Sequence, residues 1–262
     1  MIASQLATVD LAVLRAGLGG VLWTLARVSG VCLIAPVFGA NQIPVRIRAA
    51  FVLLLTLVLV PLAPANTIDP LSGAGVAKMI GQLLVGAAVG FVLKLIFEAV
   101  VLGGQLVAQS MSLGFSEMVN PAGGGSTPVL GQFYMVLVTL LFLVMNGHLQ
   151  LIALIARSFH SLPPGTDVIG PDGLHAVVIF GGQLFAGAVR VALPAMTSLL
   201  VVNLGFAAIS RAAPSMNLFA VGFPITVSLG FVALWLALRS LPGAFGSLQD
   251  SAWSLMRELL GS

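Results

Sequence analysis

Long apolar stretches that are almost free of charge dominate this chain and limit its possible folds more than any other feature. Charged residues make up 7% of the 262 positions, whereas a soluble domain carries roughly a quarter. This small number of charges cannot cover a water-exposed surface. Lipid or a larger assembly must therefore surround much of the protein. Because a helix satisfies its own backbone hydrogen bonds in lipid, we predict an all-α membrane protein.

About six apolar stretches can be marked, at about 17–38, 49–63, 79–113, 128–159, 174–209 and 218–238. A simple span needs about 20 residues, and three of the stretches exceed 30. Glycine, proline and asparagine within them predict long kinked helices or helical hairpins, with a plain six-helix bundle as the alternative. No polar stretch is long enough for a second domain, so residues 1–262 are predicted to form one domain. Lysines and arginines are balanced between the loops and do not fix the orientation.

Four charged residues interrupt the apolar stretches: Arg27, Lys94, Glu98 and Arg190. Each costs about 2.5–3.5 kcal/mol at the centre of an isolated inserted helix. Lys94 and Glu98 are four residues apart and can pair on one helix face. An ion pathway is one interpretation, but with only one acid among them we favour polar contacts with another helix or another subunit.

Two further patterns concern helix packing. Gly86 and Gly90 form a small-xxx-small pattern, which predicts a close approach of two helix backbones. The segment 242–262 alternates apolar with polar residues and is predicted to form an amphipathic helix, either at a membrane surface, on a partner or as a solvated tail.

Sequence patterns of enzymes and nucleic-acid-binding proteins are missing from the chain. It has no Walker loop, zinc-ligand spacing or nucleophile elbow, and its basic residues are dispersed rather than clustered. We therefore predict no catalytic, cofactor-binding or metal-binding residues, and no nucleic-acid partner.

Three polar segments, 35–49, 114–128 and 203–224, stand between apolar stretches. The second is rich in glycine, which permits close backbone approach, and is predicted to be either a plug lying in a pore or an ordinary connector. Its candidate plug residues are Gly114, Phe115, Ser116, Glu117, Met118, Val119, Asn120, Pro121, Gly123, Gly124, Gly125 and Pro128. Candidate subunit-contact or buried polar residues of the chain are Arg46, Lys94, Glu98, Arg190, Arg211, Pro214 and Asn217.

Together these segments resemble the FliR family of type III export-gate membrane proteins. The matching residues are Ala35 to Gly39 with Ile43, Pro44 and Arg46; Asn120 and Pro121 through Thr127 and Pro128; Asn146 to His148; and Ser210 to Pro214 with Met216, Asn217, Phe219 and Gly222 to Pro224. The resemblance covers essentially the full chain.

The resemblance implies a non-enzymatic subunit of the flagellar basal body in the bacterial inner membrane. Such a subunit assembles with FliP and FliQ into a closed helical ring around a channel for unfolded flagellar proteins, and the ring then meets FlhB and FlhA. Its helical hairpins are tilted and raised towards the periplasm, and the loop at 114–128 is the plug. Apolar side chains, including Met111 and Met118, would complete the seal, because methionine is adaptable. For each of these methionines, filling a hydrophobic core is the alternative.

Two alternatives stay open. One is the homologous subunit of a virulence-type injectisome. The other is a small-solute or ion transporter, which would need an inverted repeat with broken helices in both halves. The proline breaks expected at Pro36 and Pro194 do not lie in a convincing repeat.

Overall fold

The computed structural model describes residues 19–39, 43–64, 68, 70, 72–113, 129–164, 169–212 and 218–261, and these residues form helices joined by short turns, with no β-strand among them. The helices are α1 (Gly19–Ile34), α2 (Val45–Leu59, extended by a 3₁₀ turn at Val60–Leu62), α3 (Gly73–Ser110), α4 (Val129–Val144), α5 (Gly147–Ser161), α6 (Pro171–Phe180), α7 (Gly182–Ala212), α8 (Leu218–Ala237) and α9 (Leu241–Leu259).

Three segments in this part of the chain are long and apolar enough to cross a membrane by themselves: Val45–Leu62, Gly73–Ser110 and Pro171–Ala212. The number rises to five if the bent pairs α4 with α5 and α8 with α9 each count as one span. The prediction of an all-α membrane protein with long helices is therefore confirmed.

Helix α3 is continuous over 38 residues, so the third stretch does not form a helical hairpin. Glycine weakens a helix in water mainly through backbone freedom and solvent access, but most of α3 is apolar and much of it is buried. At about 1.5 Å per residue the helix is about 57 Å long. It therefore exceeds the hydrocarbon thickness of a bilayer, about 30 Å.

The fourth stretch does break, as predicted, at its asparagine. Asn146 has a left-handed φ of 57° and separates α4 from α5, and asparagine tolerates this conformation better than most residues. In the fifth stretch only Gly181 interrupts the helix, between α6 and α7, and α7 runs uninterrupted through Pro194. The proline break expected at Pro194 is therefore wrong, and membrane helices do accommodate interior prolines.

Two compact units make up the described chain. Unit 1 contains the described residues up to Lys94, Asn146–Phe180 and those from Ala252 onward, and unit 2 contains the described parts of Leu95–Met145 and Gly181–Ser251. Unit 1 buries Trp23, Val31, Val89, Leu151 and Phe159.

Unit 2 has an aromatic core. The ring of Phe97 lies edge-on to those of Phe142 and Phe245, with centroid separations of 5.4 and 5.8 Å. Met111 is fully buried against Gly230, where an added methyl group would lie 2.6 Å from the Met111 Cε. Within this chain Met111 therefore fills the core of unit 2. Helices α7 and α8 pack on each other in the same unit.

Helix α9 is amphipathic, with its apolar residues buried and Asp250, Ser254, Arg257 and Glu258 exposed. In unit 2, Phe245 packs on Phe97, and Leu248 would meet any side chain added at Gly187. The apolar face of α9 is thus covered by the chain's own helices.

Candidate functional site

A buried arginine cluster in unit 1 is the most polar place in the described interior. Arg27 of α1 is 1% exposed, and its guanidinium contacts residues of α3 and the end of α5. The cluster consists of Arg27, Gln82, Ser158 and Phe159, with the backbone carbonyl of Leu162. Sequence reasoning singled out Arg27 as a charge that needed a polar contact with another helix, and the structure provides two such helices.

Every nitrogen of the Arg27 guanidinium donates a hydrogen bond. Nε donates to Gln82 Oε1 at 2.8 Å, and Nη2 also donates to that oxygen. Nη1 donates to the Ser158 carbonyl oxygen at 2.8 Å and to Ser158 Oγ at 2.9 Å, while Nη2 donates to the Leu162 carbonyl oxygen at 2.7 Å. The guanidinium therefore joins α1, α3 and α5 at one point.

The acceptors in this cluster are neutral. Two are carbonyls at the C-terminal end of α5, where the helix dipole carries partial negative charge. The guanidinium carbon also lies 4.6 Å from the centre of the Phe159 ring, a cation–π contact. Arginine suits such a place because its charge is delocalised and its donors are fixed in a planar fork. The arrangement supports rigid helix packing and supplies no proton acceptor for acid–base chemistry.

Close backbone contact between α1 and α3 brings Arg27 and Gln82 together. A methyl group added at Gly86 would collide with the Arg27 carbonyl and lie 3.0 Å from Val31 N, and one at Gly90 would lie 2.9 Å from Val31 O. On α1, a methyl group at Gly30 would lie 2.9 Å from Ala87 N. The packing role predicted for Gly86 and Gly90 is confirmed, and it needs glycine on both helices.

The predicted polar contact residues that the structure describes lie on its surface rather than together. Arg46, Lys94, Arg190 and Arg211 are exposed and Glu98 is partly exposed. Arg190 Nη1 donates to Ser247 Oγ at 3.0 Å, within unit 2. The predicted pairing of Lys94 with Glu98 is wrong in this described helix, where no ion pair joins them.

The remaining predicted site residues lie outside the described part of the chain. These are the whole candidate plug, 114–128, together with Pro214, Asn217 and Met118. Their predicted roles stay predictions. Among the described residues, no group of three or more histidine, cysteine, aspartate or glutamate side chains is placed to hold a metal ion.

Apolar side chains cover much of the described surface. On α7 the exposed residues include Phe185, Val189, Leu193, Leu200 and Leu204. On α2 they include Leu53, Leu54, Leu57 and Val58. Exposed apolar faces of this extent mark surfaces that meet lipid or other proteins.

Sequence reasoning missed Gln82 and Ser158 as partners of Arg27. Gln82 could have been found, because it lies within a long apolar helix and a buried amide needs a hydrogen-bond partner. Ser158 lies in the last turn of α5 and carried no such signal, since a serine in a helix can bond to its own helix backbone, as Ser158 Oγ does to the Ile155 carbonyl oxygen.

Comparison with known proteins gives a consistent family. Residues 18–252 match the model of the bacterial export proteins, family 1. The flagellar biosynthetic protein FliR of Pectobacterium carotovorum subsp. carotovorum is 35% identical over 238 residues, covering 91% of each chain. FliR of Escherichia coli strain K12 is 34% identical over 223 residues, 85% of each chain, and FliR of Aquifex aeolicus strain VF5 is 31% identical over 208 residues, 78% of this chain and 79% of the relative. The resemblance to FliR seen in the sequence is therefore confirmed. With its long apolar helices and a match over nearly its whole length, the chain belongs to the bacterial export proteins of family 1.

Proposed function

We propose that this chain is the membrane subunit of a flagellar type III export gate that helps form and close the channel for unfolded flagellar proteins. Family membership across residues 18–252 is the observation that carries the proposal. The similar proteins compared above are flagellar biosynthetic proteins, so we favour the flagellar apparatus over the injectisome.

The proposed role is structural rather than enzymatic. The Arg27 cluster holds three helices with neutral acceptors and has no acid–base pair. Energy for export would be supplied by other components of the apparatus, among which we propose FliP, FliQ, FlhB and FlhA as partners. Extensive exposed apolar surface on α2, α7 and α8 supports an assembly of several membrane subunits.

We further propose that part of the chain is raised from the inner membrane towards the periplasm. The length of α3 supports this position, because a helix of about 57 Å exceeds even the roughly 40–45 Å of a bilayer with its headgroups. Partner subunits would then cover apolar surface of α3 that lipid does not reach.

Deleting the gene in its host tests the proposed function. Loss of swimming and of secreted flagellar proteins is expected, and a plasmid copy of the chain should restore both. A deletion strain that still swims and secretes normally would exclude the proposal. If the plasmid restores injection of virulence proteins instead, the injectisome alternative replaces it.

The predicted plug has its own test. Removing 123–126 from the loop 114–128 should raise ion leakage through the assembled gate, because a shortened loop leaves the channel less completely filled. Leakage equal to that of the unaltered chain would show that this loop is a connector.

A further inference from the structure

The turn between α8 and α9 carries an exposed pair of an aromatic ring and a cation. Trp235, in the last turn of α8, is 59% exposed, and the guanidinium carbon of Arg239 lies 4.9 Å from the centre of its ring. Tryptophan concentrates where hydrocarbon meets the lipid headgroups, because its ring is apolar and its N–H is polar. An exposed tryptophan that carries an arginine at the end of an apolar helix is therefore typical of a membrane–water boundary.

A second arginine lies near the same turn. Arg190 of α7 is exposed, and its Nη1 donates to Ser247 Oγ at 3.0 Å. Ser247 is in the second turn of α9, about 9 Å along the helix from its first residue. All of these residues belong to unit 2. The corner cluster is defined as Arg190, Trp235 and Arg239.

The two helices that lead to the corner cluster are free of charge over the thickness of a bilayer. Helix α8 has 20 residues, Leu218–Ala237, none of them charged, and residues 191–210 of α7 are likewise uncharged. At about 1.5 Å per residue, each of these segments is about 30 Å long, which equals the hydrocarbon thickness of a bilayer. The uncharged segment of α7 lies between Arg190 and Arg211, which are both exposed.

Helices α7 and α8 form an antiparallel hairpin. They pack on each other, and only residues 213–217 separate them in the chain. Arg211 therefore lies at one end of the hairpin and the corner cluster at the other. The chain then bends by 55° between α8 and α9, and α9 is the amphipathic helix whose apolar face the chain itself covers. Both the charges and the bend thus place a membrane boundary at the corner cluster.

The arginines of the corner cluster are available to an anion. Among the described residues, neither Arg190 nor Arg239 forms an ion pair. Asp250 of α9 is exposed and pairs with neither of them. A guanidinium donates hydrogen bonds in a planar fork that matches the oxygens of a phosphate. At the surface of a membrane, the phosphates within reach are those of the lipid headgroups.

We propose that the α7–α8 hairpin crosses the hydrocarbon layer and that the corner cluster lies at its surface, where Arg190 and Arg239 bind the headgroups of anionic phospholipids. The inference goes beyond the proposed function and does not depend on it, because it concerns the depth of one hairpin and a lipid contact. In a chain that is partly raised from the membrane, this hairpin is the part that stays anchored.

Quenching of tryptophan fluorescence by brominated phospholipids tests the proposed depth. The other two tryptophans, Trp23 and Trp253, are 1% and 7% exposed, so lipid reaches Trp235 most directly. The full chain is reconstituted in phosphatidylcholine vesicles, and Trp235→Phe supplies the background signal to subtract. Bromine near the headgroup end of the acyl chain should quench Trp235 more strongly than bromine near the methyl end. Stronger quenching from the methyl end, or none from either, would overturn the proposal.

Brominated phosphatidylglycerol in place of brominated phosphatidylcholine tests the headgroup preference. Two arginines near an anionic surface should favour the anionic lipid at this position by about thirtyfold. The double variant Arg190→Gln with Arg239→Gln should lose most of this preference, whereas lysine at both positions should keep most of it because the charges remain. Arg157→Gln, which removes an exposed charge of α5, is the matched control and should change nothing.

The circular dichroism spectrum shows that each variant folds, and the preference of the unaltered chain needs no variant. Equal quenching of that chain by both lipids would overturn the proposal, as would a preference that survives the loss of both arginines. Sodium phosphate and sodium sulfate at equal ionic strength should weaken the preference equally, because both act only by screening. A greater effect of phosphate would indicate a site for the free ion and would also overturn the lipid assignment.

Discussion

Helix α3 presents two faces that handle polarity in opposite ways. Its inner face, with Gln82, Gly86 and Gly90, packs against α1, and its one polar side chain accepts hydrogen bonds from Arg27. Its outer face exposes Ile80, Leu84, Phe91 and Lys94. A single helix thus has one face packed against α1 and another that the described residues leave exposed.

The difference shows how a charge-poor chain can use its few charges. The Arg27 guanidinium is stabilised before any partner arrives, because neutral acceptors and the Phe159 ring surround it. Among the described residues, no side chain forms a hydrogen bond or an ion pair with Lys94. We expect substitutions on the inner face to change the stability of the isolated chain, and substitutions on the outer face to change assembly.

The largest effect is expected for Arg27→Met. Methionine keeps much of the side-chain volume but leaves the acceptors on Gln82, Ser158 and Leu162 without their donor. Each buried acceptor left unpaired costs about 1–3 kcal/mol, and this substitution affects several of them at once. Denaturant unfolding of the purified chain in detergent measures this loss, with the exposed Arg157→Met as the control. A cost below that of the control would show that the cluster does not hold the three helices together.

Adding one methyl group to the inner face should have the next largest effect. Gly86→Ala places a carbon against the Arg27 carbonyl, where backbone cannot yield, and overpacking of this kind costs about 1–3 kcal/mol. Gly205→Ala in α7 is the matched control, because open space surrounds its Cα. There alanine should stabilise the helix by about 0.5–1 kcal/mol. Equal signs for the two substitutions would contradict the close contact of α1 and α3.

A smaller loss is expected for Gln82→Leu. Leucine fills the space but removes the oxygen that accepts from Arg27 Nε and Nη2, and a buried donor left unpaired costs about 1–3 kcal/mol. Gln82→Glu keeps an acceptor and should unfold closer to the unaltered chain. If leucine and glutamate variants unfold at the same denaturant concentration, the hydrogen bonds to Gln82 contribute nothing to stability.

The smallest effect on the isolated chain is expected at the outer face of α3. Lys94→Gln removes an exposed charge that has no ion-pair partner among the described residues. The melting temperature of the purified chain should therefore stay unchanged. A marked shift in either direction would place Lys94 among the contacts that hold the chain together and would weaken the contrast between the two faces.

Much of the helix content could be predicted from the sequence, because long charge-free stretches permit little else in a membrane. The break at Asn146 and the packing of Gly86 with Gly90 were predictable as well, since both depend on local residue types. The break predicted at Pro194 was wrong, because neighbouring helices in a membrane can support a proline that would break a helix in water.

The candidate site was harder to predict than the fold. Arg27 was visible as a charge among apolar residues, but its acceptors lie 55 and 131 positions away, so nothing local identified them. The spacing of Lys94 and Glu98 suggested a pair, yet spacing does not determine which rotamers two exposed side chains adopt. The roles of the loop at 114–128 and of Pro214 and Asn217 remain predictions from the sequence.

Cysteine accessibility on adjacent residues of α3 tests the contrast between its two faces most directly. In a Cys32→Ala background, Leu84→Cys and Val85→Cys place thiols at one exposed and one fully buried position. Labelling with a membrane-permeant maleimide should be fast at position 84 in the isolated chain and much slower after assembly, and slow at position 85 in both states. Labelling at position 84 that is equally fast before and after assembly would contradict the proposal that partner subunits cover the outer face of α3.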